Sequence, residues 1–300
     1  MITLPAPAKL NLYLHVTGKR DDGYHLLDSL AAFAGVHDTV TVEATPDLSL
    51  TITGPFGDGL VADDSNLVLK AARRLQEVTG TFAGARISLV KRLPIASGIG
   101  GGSADAAATI RALVRLWELH PGQHDLSGLA LDLGADVPVC LFGQAAYMGG
   151  VGEQLDSAGQ LPEIPMVLVN PGVDVPTPAV FKARTAEFSK PARFTEPPET
   201  TEHLIDMLSD GRGNDLMAPA LALEPVIGET LAALNATPGC LFARMSGSGA
   251  TCFGFFKKTT EAEAAVRDLL DAHPERWAVA THLISDTRTL SAEIATYTKE

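Results

Sequence analysis

The chain has 300 residues, 46% of them hydrophobic and 20% charged, which is enough to bury a sizeable core in one large or two medium domains. A formal net charge of −13 argues against a general nucleic-acid surface, which needs clustered Lys and Arg, so any anionic ligand must be held by local groups. The three cysteines, Cys140, Cys240 and Cys252, are widely spread among apolar residues, which argues against a disulfide framework or a metal site. They read as buried thiols in a reducing compartment; no apolar run is long enough to span a bilayer, and a cytoplasmic location is expected.

In chain order, "LNLYLHV", "DTVTVEA", "LSLTITG" and "ARISLVKRL" carry the alternation or branched residues of strands. Between the last two, "SNLVLKAARRLQEVTG" places apolar residues at helical spacing after a Ser cap and ends on Gly80, which predicts a helix. "GIGGGSADAAATIRALVRLWEL" predicts a glycine loop and a helix starting near Ser103. "DLSGLALDLGADVPVCLFG" predicts another helix that closes on a polar turn from Gly134 to Pro138. Strand-like "AAYMGG" and "GEQLDS" follow, then a Gly- and Pro-containing break that sets a boundary near residue 160. Beyond it, "MVLVNPG" opens a unit of strand, helices, two strands around "MSGSGATCFGFF", a helix over "EAEAAVRDLLDAH" and a strand over "AVATHLI"; "FTEPPETTEH" reads as a surface loop.

Four stretches carry chemistry. In the first, Gly98, Gly100, Gly101 and Gly102 precede Ser103 at a helix start, so several N–H groups and the positive end of a helix could meet one anion. The same string fits a tight turn, and it matches neither the Walker loop, having no Lys, nor the dinucleotide pattern, having Ser103 where a glycine is required. In the second, Lys9 and Asn11 are two apart in a strand and share a face, opposite Leu10, Leu12 and Leu14. Such a lysine is either a functional group on an inward face or an edge charge against aggregation. "DDGYH" adds a turn at Gly23 with Tyr24 and His25 at its exit. Third is Asp136 in "GADVPVC", and fourth is the loop of "MSGSGATCFG"; taken singly each reads as a turn.

Together, "PAKLNLYLHVTGKRDDGYHLLDS", "LPIASGIGGGSADAAA", "GADVPVCLFG", "NPGVDVPTPAVF" and "RMSGSGATCFG" resemble the GHMP family of small-molecule kinases, which includes galactokinase, homoserine kinase and mevalonate kinase. The "GYH" element narrows the resemblance to the branch that phosphorylates a cytidine diphosphate-linked methylerythritol. The resemblance covers almost the whole chain and is weakest from about residue 182 to 202 and after about 286.

It implies an α+β two-domain GHMP kinase fold: residues 1–160 with a left-handed βαβ crossover, and residues 161–300 of ferredoxin-like type. It further implies Lys9 and Asp136 as the catalytic pair, with ATP and Mg2+ as co-substrate and cofactor and no dedicated metal site on the protein. ATP is expected at Pro94, Ile95, Ala96, Ser97, Gly98, Ile99, Gly100, Gly101, Gly102, Ser103 and Ala104, with Asn66 near the adenine. The cytidine-bearing substrate is expected at Asn11, Tyr24, His25, Thr177 and Phe181. The resemblance also implies that phosphoryl passes to the substrate's 2-hydroxyl, and the expected partners are small molecules only, with no nucleic acid or membrane, in a monomer or weak homodimer. Relatives carry glycines where this loop has Ala96 and Ser97, which leaves open which loop hydroxyl besides Ser103 meets phosphate. A non-catalytic nucleotide-binding protein would be expected to lack the Lys9 and Asp136 pair, and a nicotinamide oxidoreductase would need G-x-G-x-x-G; neither fits.

Overall fold

The computed structural model describes residues 1–120, 122 and 126–290. Asp125, the first residue of one predicted helix, lies outside them. Two long strands, β1 (Ile2–Lys19) and β2 (His25–Thr45), pair antiparallel around the turn at Gly23, where φ is 94°. The alternation of β1 is interrupted by bulges at Pro7/Lys9 and Asn11/Tyr13, and both of its faces are buried. Leu10 and Leu12 therefore enter one core cluster and Leu14 another.

β3 (Ser49–Thr53) and β4 (Gly84–Val90) are parallel neighbours joined by α1 (Leu67–Thr79), which makes a βαβ crossover. α1 ends as its sequence predicts, on Gly80 at φ 69°. It begins on a different cap: Asn66, not the preceding serine, accepts the N–H of Val68 at 3.0 Å. α2 (Gly101–Leu116) starts two residues before Ser103, because the left-handed Gly100 is its N-cap. Its run of Ala104, Ala106, Ala107, Ala108 and Ala112 is fully buried, and these small side chains let the helix lie close between α1 and the sheet.

α3 (Leu126–Leu133) closes on the predicted turn, but the turn ends at Asp136, and Val137 and Pro138 open a second short helix, α4 (Val137–Phe142). Proline fits its first turn, where the missing N–H would have no partner anyway. The two predicted strands, β5 (Ala146–Gly149) and β6 (Gln154–Ser157), pair antiparallel with each other, and β5 pairs with β2.

In the second half β7 (Ile164–Asn170), α5 (Thr177–Ala183), α6 (Thr201–Ser209), α7 (Met217–Leu223) and α8 (Val226–Ala236) lead to β8 (Cys240–Met245) and β9 (Cys252–Phe256). α9 (Thr259–Ala272) and β10 (Trp277–Ile284) complete it. The strand order β10-β7-β9-β8 with two helical crossovers is the ferredoxin-like arrangement. The stretch read as a loop from Phe194 is irregular only to Thr200, whose side chain caps α6 by accepting the N–H of His203. β10 also pairs with β2, so one sheet runs through both halves. Cys140 and Cys252 are buried, and burial pushes both thiols up to about 12. Cys240 departs from expectation in being only half-buried, since the strand end that carries it is open on one side.

Candidate active site

The loop between β4 and α2 passes over the start of β1. Lys9 donates its backbone N–H to the carbonyl of Ile99 at 2.8 Å, which fixes the glycine loop to the strand. The Lys9 side chain, 3% exposed, donates to Asn11 Oδ1 at 2.8 Å and lies 3.0 Å from Asp136 Oδ2. Asn11 is itself oriented, since its amide nitrogen donates to Ser29 Oγ at 2.8 Å. Asp136 occupies the N-cap position of α4 but makes no side-chain cap bond, so its carboxylate is left to Lys9 and to the 37% of its surface that faces solvent. Lys9 is thus no edge lysine: it is a buried ammonium with two oxygen partners, one of them an accessible carboxylate.

The glycine loop is seated from the other half of the chain. The β8–β9 loop packs on it, with Thr251 N–H donating to Ser97 O at 3.1 Å and Ser246 Oγ to Gly98 O at 3.3 Å. Gly98 is in the left-handed region at φ 74°, and a Cβ there would fall 2.3 Å from Gly249 O. Ser97 is buried, and its hydroxyl donates to Pro94 O at 2.7 Å, so its proton is engaged within the loop. Ser103 Oγ has no hydrogen bond among the described residues and faces the cavity. Ala96 takes the left-handed conformation at φ 51°, a position that suits glycine better.

Two cavities meet at this point. The larger, about 920 Å³, is lined by Lys9, Asn11, Tyr24, His25, Thr177 and Phe181 among others. The smaller, about 440 Å³, is lined by Asn66, Lys91, Pro94 to Gly98, Gly100 to Ser103, Asp105 and Asp136 among others. Gly98, Ser103 and Asp136 border both. Of the loop residues expected to hold nucleotide, two have side chains elsewhere: Ile99 packs in the core beside Leu10, and Ala104 is buried in α2 with its N–H spent on Gly100 O.

In the larger cavity His25 and Phe181 stack on each other, with centroids 4.8 Å apart and planes 21° off parallel. Tyr24 stands 63% exposed at the lip. Thr177 shares a 2.8 Å hydrogen bond with Ser248, which joins α5 to the β8–β9 loop. Burial, followed by the charges of Lys19 and Arg184, holds His25 below the ordinary histidine range, so at neutral pH its imidazole is uncharged and can both donate and accept. Asn66 borders the smaller cavity, but both ends of its amide are used: Oδ1 caps α1 and Nδ2 donates to Val61 O at 2.9 Å. Asn66→Ala is therefore expected to lower stability by about 1 kcal/mol, as loss of a cap does, and denaturant melts of the two proteins measure it. An unchanged midpoint would mean that the cap contributes nothing.

A buried cluster under the glycine loop carried no signal in the sequence reading. Lys91 closes ion pairs with Asp38 and Asp105, and the three positions span residues 38 to 105 with no local motif to mark them.

Comparison with known proteins gives concordant results. The models described as GHMP kinases N terminal domain and GHMP kinases C terminal match residues 66–144 and 200–275. A 4-diphosphocytidyl-2-C-methyl-D-erythritol kinase of Paramagnetospirillum magneticum is 53% identical over 283 residues, which is 94% of this chain and 99% of the relative. One from Rhodospirillum rubrum is 52% identical over 290 residues, 97% and 95% of the two chains. A solved 4-(cytidine 5'-diphospho)-2C-methyl-D-erythritol kinase superposes with a TM-score of 0.75 at 36% identity, covering 94% of this chain and 99% of that one. Homoserine kinase from Cytophaga hutchinsonii superposes at 0.72 with 17% identity, covering 95% and 96%, a likeness of fold alone.

Proposed function

The chain belongs to the GHMP kinases, within the 4-diphosphocytidyl-2-C-methyl-D-erythritol kinase branch, and on that footing we propose that it transfers the γ-phosphoryl group of ATP to the 2-hydroxyl of 4-diphosphocytidyl-2-C-methyl-D-erythritol, a step of the non-mevalonate route to isoprenoid precursors. The observation that carries the residue assignment is the meeting of two cavities at Asp136, the carboxylate paired with Lys9, one cavity walled by the glycine loop and the other by the His25–Phe181 stack.

Phosphoryl transfer asks for alignment and charge neutralisation more than covalent chemistry. In the smaller cavity the loop N–H groups and the start of α2 receive the triphosphate. In the larger one the acceptor's base lies by Phe181, Tyr24 and His25, which leaves its polyol at Asp136. Asp136 takes or orients the proton of the 2-hydroxyl. Lys9, held by Asn11, pairs with that carboxylate and offsets charge on the moving phosphoryl group. Mg2+ bound with ATP would neutralise the phosphate oxygens, and the hydroxyl of Ser103 together with the phosphates and water makes a hard-oxygen set that suits it.

A coupled ADP-release assay comparing the cytidine diphosphate acceptor with homoserine and mevalonate tests the reading. Turnover only with the first is expected, and a preference for either of the others would overturn it. Within the site, Phe181→Ala and Tyr24→Ala are each expected to cost about 1–3 kcal/mol of acceptor binding, as lost stacking of a base does, with KM for ATP unchanged. Phe181→Ala has the larger effect because the same ring also supports His25. His25→Ala in addition narrows the preference for cytosine over uracil, since a neutral imidazole reads the edge of the base. Steady-state kinetics with both nucleotide acceptors give the answer. Wild-type KM and base preference in all three variants would place the base elsewhere.

A further inference from the structure

The buried cluster under the glycine loop has no part in the reaction as described above. Lys91, just after β4, donates its ammonium to Asp38 Oδ2 at 2.5 Å and to Asp105 Oδ2 at 2.7 Å; the three side chains are 3%, 0% and 3% exposed. Asp38 Oδ1 accepts the backbone N–H groups of Arg92 at 2.5 Å and Leu93 at 2.8 Å, the two residues that lead into Pro94. Asp105 lies one turn into α2, the helix into which the loop exits. A single ammonium therefore ties the entry of the loop to the helix at its end. Its nitrogen is 3.0 Å from where a Cβ on Gly101 would lie, directly beneath the cradle.

The two carboxylates are not equivalent. Both oxygens of Asp38 have N–H donors, whereas Asp105 Oδ1 is buried without any partner. An ionised oxygen in that position forfeits its hydration with nothing in return, while a neutral carboxyl loses far less. Two ionised carboxylates against one ammonium would also leave a net negative charge in a low-dielectric interior, under the place assigned to a triphosphate.

We propose that Asp38, Lys91 and Asp105 form the positioning cluster of the nucleotide loop, in which Asp38 is the ionised partner of Lys91 and Asp105 is held as a neutral acid, so that no net charge lies beneath the triphosphate. Burial pushes the Asp105 carboxyl well above the ordinary carboxylate range, with the charge of Asp38 adding to the rise and that of Lys91 opposing it. Burial alone would lower Lys91, but the charge of Asp38 and the hydrogen bonds to both carboxyl groups outweigh it and hold the ammonium above the ordinary lysine range. None of the three needs to touch substrate; they act by holding Leu93 and the first turn of α2 at a set separation. The proposal rests on the assignment of the smaller cavity to ATP.

The test compares Asp38→Asn, Lys91→Met, Asp105→Asn and Asp105→Leu by steady-state kinetics, calorimetric ATP binding and infrared spectroscopy of the free protein. Asp38→Asn and Lys91→Met are expected to raise KM and Kd for ATP by about 30-fold or more while KM for the acceptor stays within about 3-fold, a split that general loosening of the fold would not produce. Asp105→Asn, which keeps a neutral acceptor toward Lys91, stays within about 3-fold for ATP, whereas Asp105→Leu falls with Asp38→Asn. The wild type shows the carbonyl stretch of a protonated carboxylic acid at neutral pH, and Asp105→Asn lacks it. Should Asp38→Asn fail to fold, Lys91→Met decides the positioning role and the infrared band decides the neutral acid. Unchanged ATP affinity in folded Asp38→Asn or Lys91→Met, an Asp105→Asn as damaged as Asp38→Asn, or a wild type without the band overturns the proposal. A wild type that ignores the cytidine diphosphate acceptor, yet loses ATP binding on Asp38→Asn, would refute the acceptor assignment and leave the cluster's role standing.

Discussion

An Asp136→Asn enzyme is expected to bind ATP within a few-fold of wild type and to turn over about two to four orders of magnitude more slowly, the usual cost of removing an acid–base or positioning group. The carboxamide keeps the shape of the side chain and can still accept from the Lys9 ammonium 3.0 Å away, so the cavity walls stay in place. What it loses is the negative charge that balances Lys9 and, in the proposed reaction, takes or orients the hydroxyl proton. That ammonium is almost fully buried, and in the variant it would keep only the neutral oxygens of Asn11 and the new amide. Its charge would then fall on a site with no carboxylate to orient the acceptor. Calorimetric ATP titration beside single-turnover rates separates the two effects. A kcat within a few-fold of wild type would remove Asp136 from the chemistry, and a matching loss of ATP affinity would make it a structural residue.

Gly98→Ala carries the second large effect, for a reason that is steric and conformational at once. The new Cβ would lie 2.3 Å from Gly249 O and 2.8 Å from Gly249 C, backbone atoms of a loop that Thr251 and Ser246 already tie to this one. With φ at 74°, alanine also takes on the cost of the left-handed region. Together these are expected to cost about 2–5 kcal/mol of stability, and ATP affinity should fall with the displaced loop. Gly102→Ala is the control: a Cβ there meets nothing within 4 Å in the first turn of α2, and its denaturation midpoint should equal or slightly exceed that of the wild type. Denaturant melts with and without ATP measure both variants. Equal midpoints for Gly98→Ala and Gly102→Ala would show that the two loops are free to part.

The helices whose termini are written in the chain were legible because a glycine at a C-cap and an amphipathic stripe act within a few residues. α1 ending on Gly80 and α9 over its charged, alanine-rich stretch are of this kind. Local sequence is ambiguous where two local solutions compete. Ser65 and Asn66 are both competent caps, and only the backbone of the folded turn, extended at Asn66 with φ −70° and ψ 133°, selects the second. Likewise "GADVP" is equally a turn or the first turn of a helix, and the packing of Val137 and Val139 in the core makes it α4.

By itself the sequence determined the strands and helices that local periodicity specifies, the sharing of one face by Lys9 and Asn11, the glycine-rich approach to a helix start and, through resemblance, the kinase family. Only the tertiary structure decided that Ser97 spends its hydroxyl on Pro94, that His25 lies flat on Phe181, and that Lys91 gathers Asp38 from 53 residues away and Asp105 from 14. The reason is one of range: periodicity and capping are settled by neighbours three or four residues apart. A buried ion pair or a loop seated on another loop exists only after the sheet has brought distant segments together, and no residue in either segment marks its partner.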